Sequence, residues 1–195
     1  DLLSDKKCIA LGPGIGTAPE TKTLVHRILQ KSTKPMVIDA DGLNNLVGHT
    51  EILKNLKIPV ILTPHPGEMA RLINTTVAEV QKDRIHCARE FAKNFNTHVV
   101  LKGAGSVVAH PDGSAFINPT GNPGMASGGM GDVLTGIIAG FIAQGHSPEL
   151  AAHAGVYLHG ATADAFANTK APFGYLATEV QNAIPETIKK FADSV

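Results

Sequence analysis

HVVLKGAGSVVAHPDGSAFINPTGNPGMASGGMGD, residues 98–132, changes the rhythm of the chain. Its first half holds three short apolar runs, His98–Lys102, Ser106–His110 and Ala115–Ile117. They are separated only by Gly103-Ala104-Gly105 and by the Pro111-Asp112-Gly113 turn. Such gaps cannot hold a crossover helix, so these runs read as antiparallel hairpin strands. Its second half, NPTGNPGMASGGMGD, leads from the last strand into a strongly apolar helix marked by Val133, Leu134, Ile137, Ile138, Phe141 and Ile142. The expected start of that helix is about Asp132.

Upstream the pattern is different. Short apolar runs at Cys8–Leu11, Pro35–Ile38 and Ile58–Leu62 alternate with helical stretches. Leu24, Val25, Ile28 and Leu29 mark the first helix; Val77, Val80, Ile85, Ala88, Ala92 and Phe95 mark one helical face, opened by a Thr76/Glu79 capping box. Brief, continuously apolar strands signal burial on both faces, as in parallel sheets. The whole reads as an α/β fold, a mostly parallel sheet between helical layers with antiparallel hairpin strands at one edge. Downstream, Ser147-Pro148-Glu149 starts an Ala- and Gly-rich helix whose neighbours can approach closely. Thr178-Glu179-Val180-Gln181 caps the last helix, which Pro185 is expected to kink or divide.

The 195 residues are 43% hydrophobic and 17% charged, with formal net charge +0, and read as one domain, 1–195, with a sizeable core. Without a basic block, nucleic acid is not the expected partner, and no apolar run reaches the roughly 18 residues of a membrane span. The two cysteines, Cys8 and Cys87, read as buried thiols in a cytoplasmic protein and have no zinc spacing. The first apolar run begins almost at once, so the chain reads as one whose N-terminal elements are missing.

Most unusual residues fall at the carboxyl ends of the strands, where open α/β sheets bind ligands. GPGIG, Gly12–Gly16, is either a tight turn or a place where backbone meets ligand. In Thr63-Pro64-His65-Pro66-Gly67-Glu68 two prolines hold His65 extended, either to bond a polar ligand or to satisfy backbone groups; Glu68 reads as a helix cap. Lys102-Gly103-Ala104-Gly105-Ser106 offers a cation, open backbone and a hydroxyl to a nucleotide. In Asp39-Ala40-Asp41-Gly42, Asp41 reads as a cap, and Asp39 as either structural or close to a phosphate-bound metal. The glycines before Asp132 leave free amides at a helix start, an anion cradle, and a carboxylate beside such a cradle suits a base for a hydroxyl. Without Gly-Lys-Ser/Thr it is not a Walker loop.

Taken together, GNPGMASGGMGDVLTG, TPHPGEMARL, KGAGS, DADGLNNL and GPGIG resemble the ADP-dependent NAD(P)H-hydrate dehydratases of bacterial type. The resemblance implies a ribokinase-like three-layer α/β/α sandwich and a lyase that repairs the S epimer of hydrated NADH or NADPH, releasing AMP and phosphate. It implies that Gly14, Gly16, His65 and Asp132 contact the hydrate, with Asp132 catalytic. Lys102, Gly103, Ala104, Gly105 and Ser106, with Asn122, Gly124, Met125, Ala126, Ser127, Gly128, Gly129, Met130 and Gly131, would hold ADP. Mg2+, a homo-oligomer, and fusion or pairing with an NAD(P)H-hydrate epimerase are implied as well; metal ligands are not. Two other readings stand beside it: a ribokinase-like kinase for a vitamin precursor, which shares the Asp132 loop, and a non-catalytic nucleotide-binding module, suggested by the missing N-terminal elements.

Overall fold

The computed structural model describes residues 3–193. Its sheet has six strands in sequential order, β1 (Ile9–Leu11), β2 (Met36–Ile38), β3 (Val60–Leu62), β4 (His98–Leu101), β5 (Val107–Ala109) and β6 (Ala115–Ile117). The first four are parallel; β4–β5 and β5–β6 are antiparallel, with Val99 opposite Ala109 and Val107 opposite Ile117. The hairpin edge inferred from the short gaps is therefore present.

Sequential parallel strands joined by crossovers of one hand place every connecting helix on the same face. That face carries α1 (Pro19–Lys31), α2 (Ala40–Asn44), α3 (Pro66–Leu72), α4 (Val77–Lys82) and α5 (Arg84–Phe95). Met36, Ile38, Val60, Leu62, Val99 and Leu101 point into it and meet Val25, Leu29, Met69 and Phe91. The alternate residues Val37, Ile61, Val100 and Val108 face the other side, against α6 (Met130–Ala143) and α7 (Pro148–Thr169). The last helix, α8 (Ala177–Ala192), packs outside these two. The result is the expected three-layer sandwich. Small residues set the α6–α7 spacing: a side-chain carbon on Gly155 would lie 2.6 Å from Ile138.

Local expectations fared unevenly. The face from Val77 to Phe95 is split into α4 and α5 at Asp83, whose carboxylate caps α5 by accepting from the His86 amide; Val77 and Ile85 are exposed. Only half the Thr76 capping box forms, since Glu79 pairs with Lys82 instead. Ser147 caps α7 as expected. The last helix starts at Ala177, ahead of Thr178, and Glu179 accepts from the Leu176 amide (2.9 Å). Pro185 sits inside α8 without dividing it. Cys8 and Cys87 are free but only partly buried, and burial is the main influence raising both thiol pKa values.

Candidate active site at the strand ends

The five motifs meet at the carboxyl ends of β1–β4 and at the start of α6. Gly12 locks the first two together. A side-chain carbon there would lie 1.8 Å from the Asp39 carbonyl oxygen, so only glycine permits this approach. Asp41 then clamps the turn: its carboxylate accepts from the Gly16 amide (2.9 Å), and Asn45 donates to the Gly16 carbonyl (2.9 Å). Asp41 is thus a loop clamp; the residue at the N-cap of α2 is Asp39. Gly14 and Gly16 both have positive φ and face open space on the side a side chain would occupy. Both positions are exposed, although the Gly16 amide and carbonyl are already engaged by Asp41 and Asn45.

The third motif is held by a reciprocal cap. The His65 ring Nδ1 accepts from the Gly67 (2.9 Å) and Glu68 (3.3 Å) amides, while Glu68 accepts from the His65 amide (2.7 Å). Both roles left open for His65 are physically compatible. With Nδ1 accepting, a neutral ring carries its proton on Nε2, and the side chain is half exposed. Nε2 itself stands 3.5 Å from Glu68 Oε1, so the exposed edge of the ring is held in place by the same carboxylate that caps the helix.

Lys102 joins the remaining loops. Its ammonium lies 2.6 Å from Asp39 Oδ1 and 3.8 Å from Glu68 Oε2, and Thr135 donates to Asp39 Oδ2 (3.1 Å). Asp39 is 1% exposed. Directly above them, a side-chain carbon on Gly131 would lie 3.2 Å from Lys102 Nζ and 3.3 Å from Asp39 Oδ2. Arg84 supports the Lys102–Ser106 turn from below, donating to the carbonyls of Ala104 (2.6 Å) and Leu101 (3.0 Å). Ser106 donates to the Gly103 carbonyl (3.2 Å).

The glycine-rich loop has a fixed base and an open tip. Asp164 on α7 accepts from the Gly121 amide and the Asn122 side chain, both at 2.9 Å. The Asn122 oxygen accepts from the Gly124 amide (3.0 Å) and from the Tyr175 hydroxyl. Gly124 is buried against Tyr175 and the Pro172 carbonyl, and Met125 packs beside Met130 and Tyr175. Ala126, Ser127, Gly128 and Gly129 are exposed, and Gly128 faces open space. The helix begins at Met130, two residues before the expected start, with Gly129 in the left-handed region (φ 87°). Its first internal bond runs from the Val133 amide to the Gly129 carbonyl (3.1 Å). The amides of Met130, Gly131 and Asp132 are left pointing out of the helix end, where the dipole favours an anion.

Asp132 itself is exposed. Among the described residues it makes no hydrogen bond or ion pair. Asp39, Asp41, Glu68 and Asp164 are all engaged. Arg84, Thr135, Asp164 and Tyr175 were not singled out in the sequence; each acts through a contact distant in the chain, which no local motif announces. A cavity of about 860 Å³ lies elsewhere, between the C-terminal half of α1 and the Thr50–Asn55 turn.

The chain is similar to known proteins in sequence and fold. A family model described as NAD(P)H-hydrate dehydratase matches residues 1–186. The chain is 45% identical to the bifunctional NAD(P)H-hydrate repair enzyme Nnr of Moorella thermoacetica, over 99% of this chain and 36% of the relative. It is similar to the crystal structure of ADP/ATP-dependent NAD(P)H-hydrate dehydratase from Bacillus subtilis co-crystallized with ATP/Mg2+, at 38% identity and a TM-score of 0.85, covering 95% of this chain and 65% of that one. A ribokinase-like superfamily protein from Enterococcus faecalis superposes with a TM-score of 0.80 at 31% identity, covering 95% of this chain and 63% of that one. The chain thus spans about a third of the Moorella relative and just under two thirds of the Bacillus chain.

Proposed function

The chain belongs to the NAD(P)H-hydrate dehydratase family, and we propose that it carries the dehydratase centre of a protein that regenerates NADH or NADPH from the S epimer of their hydrates, at the expense of ADP. The observation that carries this reading is Asp132. It is the carboxylate at these strand ends that no neighbour engages, and it stands beside the unbonded amides of the α6 start.

The Gly128–Asp132 backbone amides hold the β-phosphoryl group of ADP, and the Lys102–Ser106 turn lines the rest of the nucleotide. The exposed edge of the His65 ring and the exposed turn at Gly14 and Gly16 orient the hydrate so that its C6 hydroxyl faces Asp132. Asp132 takes the hydroxyl proton as the oxygen attacks the β-phosphorus, and the bond to AMP breaks. The amides at the helix start stabilise charge on the transferred group. The nitrogen lone pair of the ring then expels phosphate from C6, the C5 proton is lost, and the C5=C6 double bond of the dihydronicotinamide is restored. The products are NADH or NADPH, AMP and phosphate.

Mg2+ fits this centre, because the strand ends present oxygen donors from Asp39 and Glu68 on either side of Lys102. Both carboxylates are engaged, so the dication would sit mainly on phosphate oxygens, with these two as partners through water. Its chemistry there is neutralisation of polyphosphate charge. Pairing with an epimerase activity belongs to this proposal, supported by relatives named as bifunctional. So does self-assembly, supported by the exposed apolar Phe116, Ile117, Leu150 and Tyr157 on β6 and α7.

The test is direct. Enzymatically hydrated NADH is incubated with the full-length polypeptide, ADP and Mg2+. Recovery of dihydronicotinamide absorbance with stoichiometric AMP and phosphate is expected. No recovery, or a stable phosphorylated product in place of free phosphate, removes the dehydratase reading and favours a kinase.

A further inference from the structure

The opposite end of the sheet holds a second polar centre that the proposed reaction does not use. His98 opens β4, and His110 follows β5 on the adjacent strand, in the register that pairs Val99 with Ala109. His153 and Glu149 come from α7, four residues apart and therefore on one helix face. His110 is 3% exposed, in contact with both other rings. Its Nδ1 lies 2.7 Å from His98 Nδ1, and its Nε2 lies 2.8 Å from His153 Nε2. One ligand atom each from His110, His153 and Glu149 lie within 4.8 Å of one another.

The proton count in this row is restrictive. Each N···N contact needs one N–H and one lone pair. A neutral His110 can donate through Nδ1 to His98, which leaves the lone pair of Nε2 facing His153 and Glu149. That is the arrangement of a metal-binding imidazole, whose second nitrogen donates to a fixed acceptor behind it.

We propose that His110, His153 and Glu149 bind one divalent cation of the zinc class, with His98 orienting His110, and that the ion staples the β4–β5 hairpin to α7. Two imidazoles and one carboxylate form a donor set suited to zinc, and half-exposed His153 with exposed Glu149 leaves the fourth position to water. With Zn–N bonds of about 2.0–2.1 Å, two nitrogens of a tetrahedral site stand roughly 3.3 Å apart. The His110–His153 pair needs to open by only about half an ångström, and Glu149, on the first turn of an exposed helix end, is free to close. His153 meanwhile moves its proton to Nδ1. The site is roughly 13 Å from Lys102 along β4, so the ion has a structural role and takes no part in turnover.

The test uses the full-length polypeptide stripped with chelator, with millimolar Mg2+ present throughout. Zn2+ binding is measured by calorimetry and Co2+ binding by its visible absorption. The wild-type protein should bind one equivalent, with the intense visible bands of a four-coordinate Co2+ ion, and Zn2+ should raise its melting temperature. Glu149→Gln should weaken binding at least tenfold and His153→Gln at least a hundredfold, both with unchanged circular dichroism. His146→Gln, which alters a histidine outside the group, should bind as wild type does. Absence of saturable one-to-one binding overturns the proposal, as does wild-type affinity in both Glu149→Gln and His153→Gln, or an equal loss in His146→Gln. If His153→Gln does not fold, Glu149→Gln decides alone. All readouts are independent of the dehydratase reaction.

Discussion

Replacing Lys102 by Met should expose how much of the strand-end architecture rests on one ion pair. Asp39 is 1% exposed and its carboxylate has two side-chain partners, Lys102 at 2.6 Å and Thr135 at 3.1 Å. Met preserves the length of the side chain but removes the charge. Breaking a buried pair by deleting one partner costs about 3–5 kcal/mol, mostly for the charge left behind. Lys102 is 20% exposed, so water screens the pair in part and the lower end applies, about 3 kcal/mol. At an m-value of about 2 kcal/mol per molar, the urea midpoint should fall by about 1.5 M. Asp39→Asn should cost less, about 1–2 kcal/mol, because Lys102 keeps Glu68 at 3.8 Å and some water. The double variant leaves neither charge orphaned and should show a coupling energy of about 2 kcal/mol in a double-mutant cycle. A coupling below about 0.5 kcal/mol, or a Lys102→Met cost below about 1 kcal/mol, refutes the claim that the pair organises this region. ADP titration separates the two roles of Lys102. If it also contacts the nucleotide, the double variant regains stability without regaining affinity.

Three further outcomes follow from the same geometry. Asp132→Asn should lower turnover by about 10²–10⁴-fold, the usual worth of a positioned base, while ADP affinity stays within about threefold; an active variant removes Asp132 from the chemistry. Gly12→Ala should destabilise by more than about 3 kcal/mol, because the new carbon would lie 1.8 Å from the Asp39 carbonyl oxygen. Gly113→Ala, at φ 86° in open space, should cost only about 1 kcal/mol, and equal denaturation midpoints for the two variants contradict the argument. His159 on α7 is buried, its Nε2 has no partner, and burial followed by the charge of Lys102 lowers its pKa from 6.5 to about 4. The unfolded chain therefore takes up this proton first as pH falls. The stability from the neutral ring is complete above pH 6.5, is lost between about 6.5 and 4, and totals roughly 3 kcal/mol by linkage. Urea titrations at pH 7.5 and 4.5 should show a smaller loss in His159→Gln than in the wild type; equal losses count against it.

The architecture was legible because it is written in local signals. Strand gaps of three or four residues admit only hairpins. The all-apolar runs of β2 and β3 are buried on both faces as expected, whereas β1 and β6, equally apolar, lie at the sheet edges and stay partly exposed. Where a local signal had two outcomes, tertiary contact chose between them. Asp41 has the composition of a cap, yet Gly16, 25 residues away, offers it an amide at 2.9 Å. Thr76 and Glu79 have capping-box spacing, but Lys82 one turn on competes for the carboxylate and takes it. The helical face from Val77 to Phe95 ran through Asp83 because periodicity registers hydrophobic spacing and not the side-chain cap that restarts the helix. Asp164 and Tyr175 lie more than 40 residues from the loop they hold, beyond the reach of any motif. The same holds for the His110–His153 pair, 43 residues apart and joined only by the packing of α7 on the sheet edge.

The charge arrangement changes what KGAGS means. As a sequence, its lysine is the obvious attraction for a polyphosphate. In the fold, Lys102 faces Asp39 at 2.6 Å and Glu68 at 3.8 Å, so the three groups sum to a formal charge of −1. Asp132 adds a further negative charge and Arg84, bonded to the Leu101 and Ala104 carbonyls, a positive one, so the sum stays at −1. In the proposed reaction, net side-chain charge is therefore a weak attraction for a nucleotide. The proposed cradle relies instead on the backbone amides at the α6 start, whose partial charges persist however the carboxylates are paired. A side-chain carbon on Gly131 would stand 3.2 and 3.3 Å from Lys102 and Asp39, so one of the two would have to shift by a few tenths of an ångström. A dication suits the proposed reaction, since the charges of a nucleoside diphosphate would otherwise meet the carboxylates of this centre unscreened.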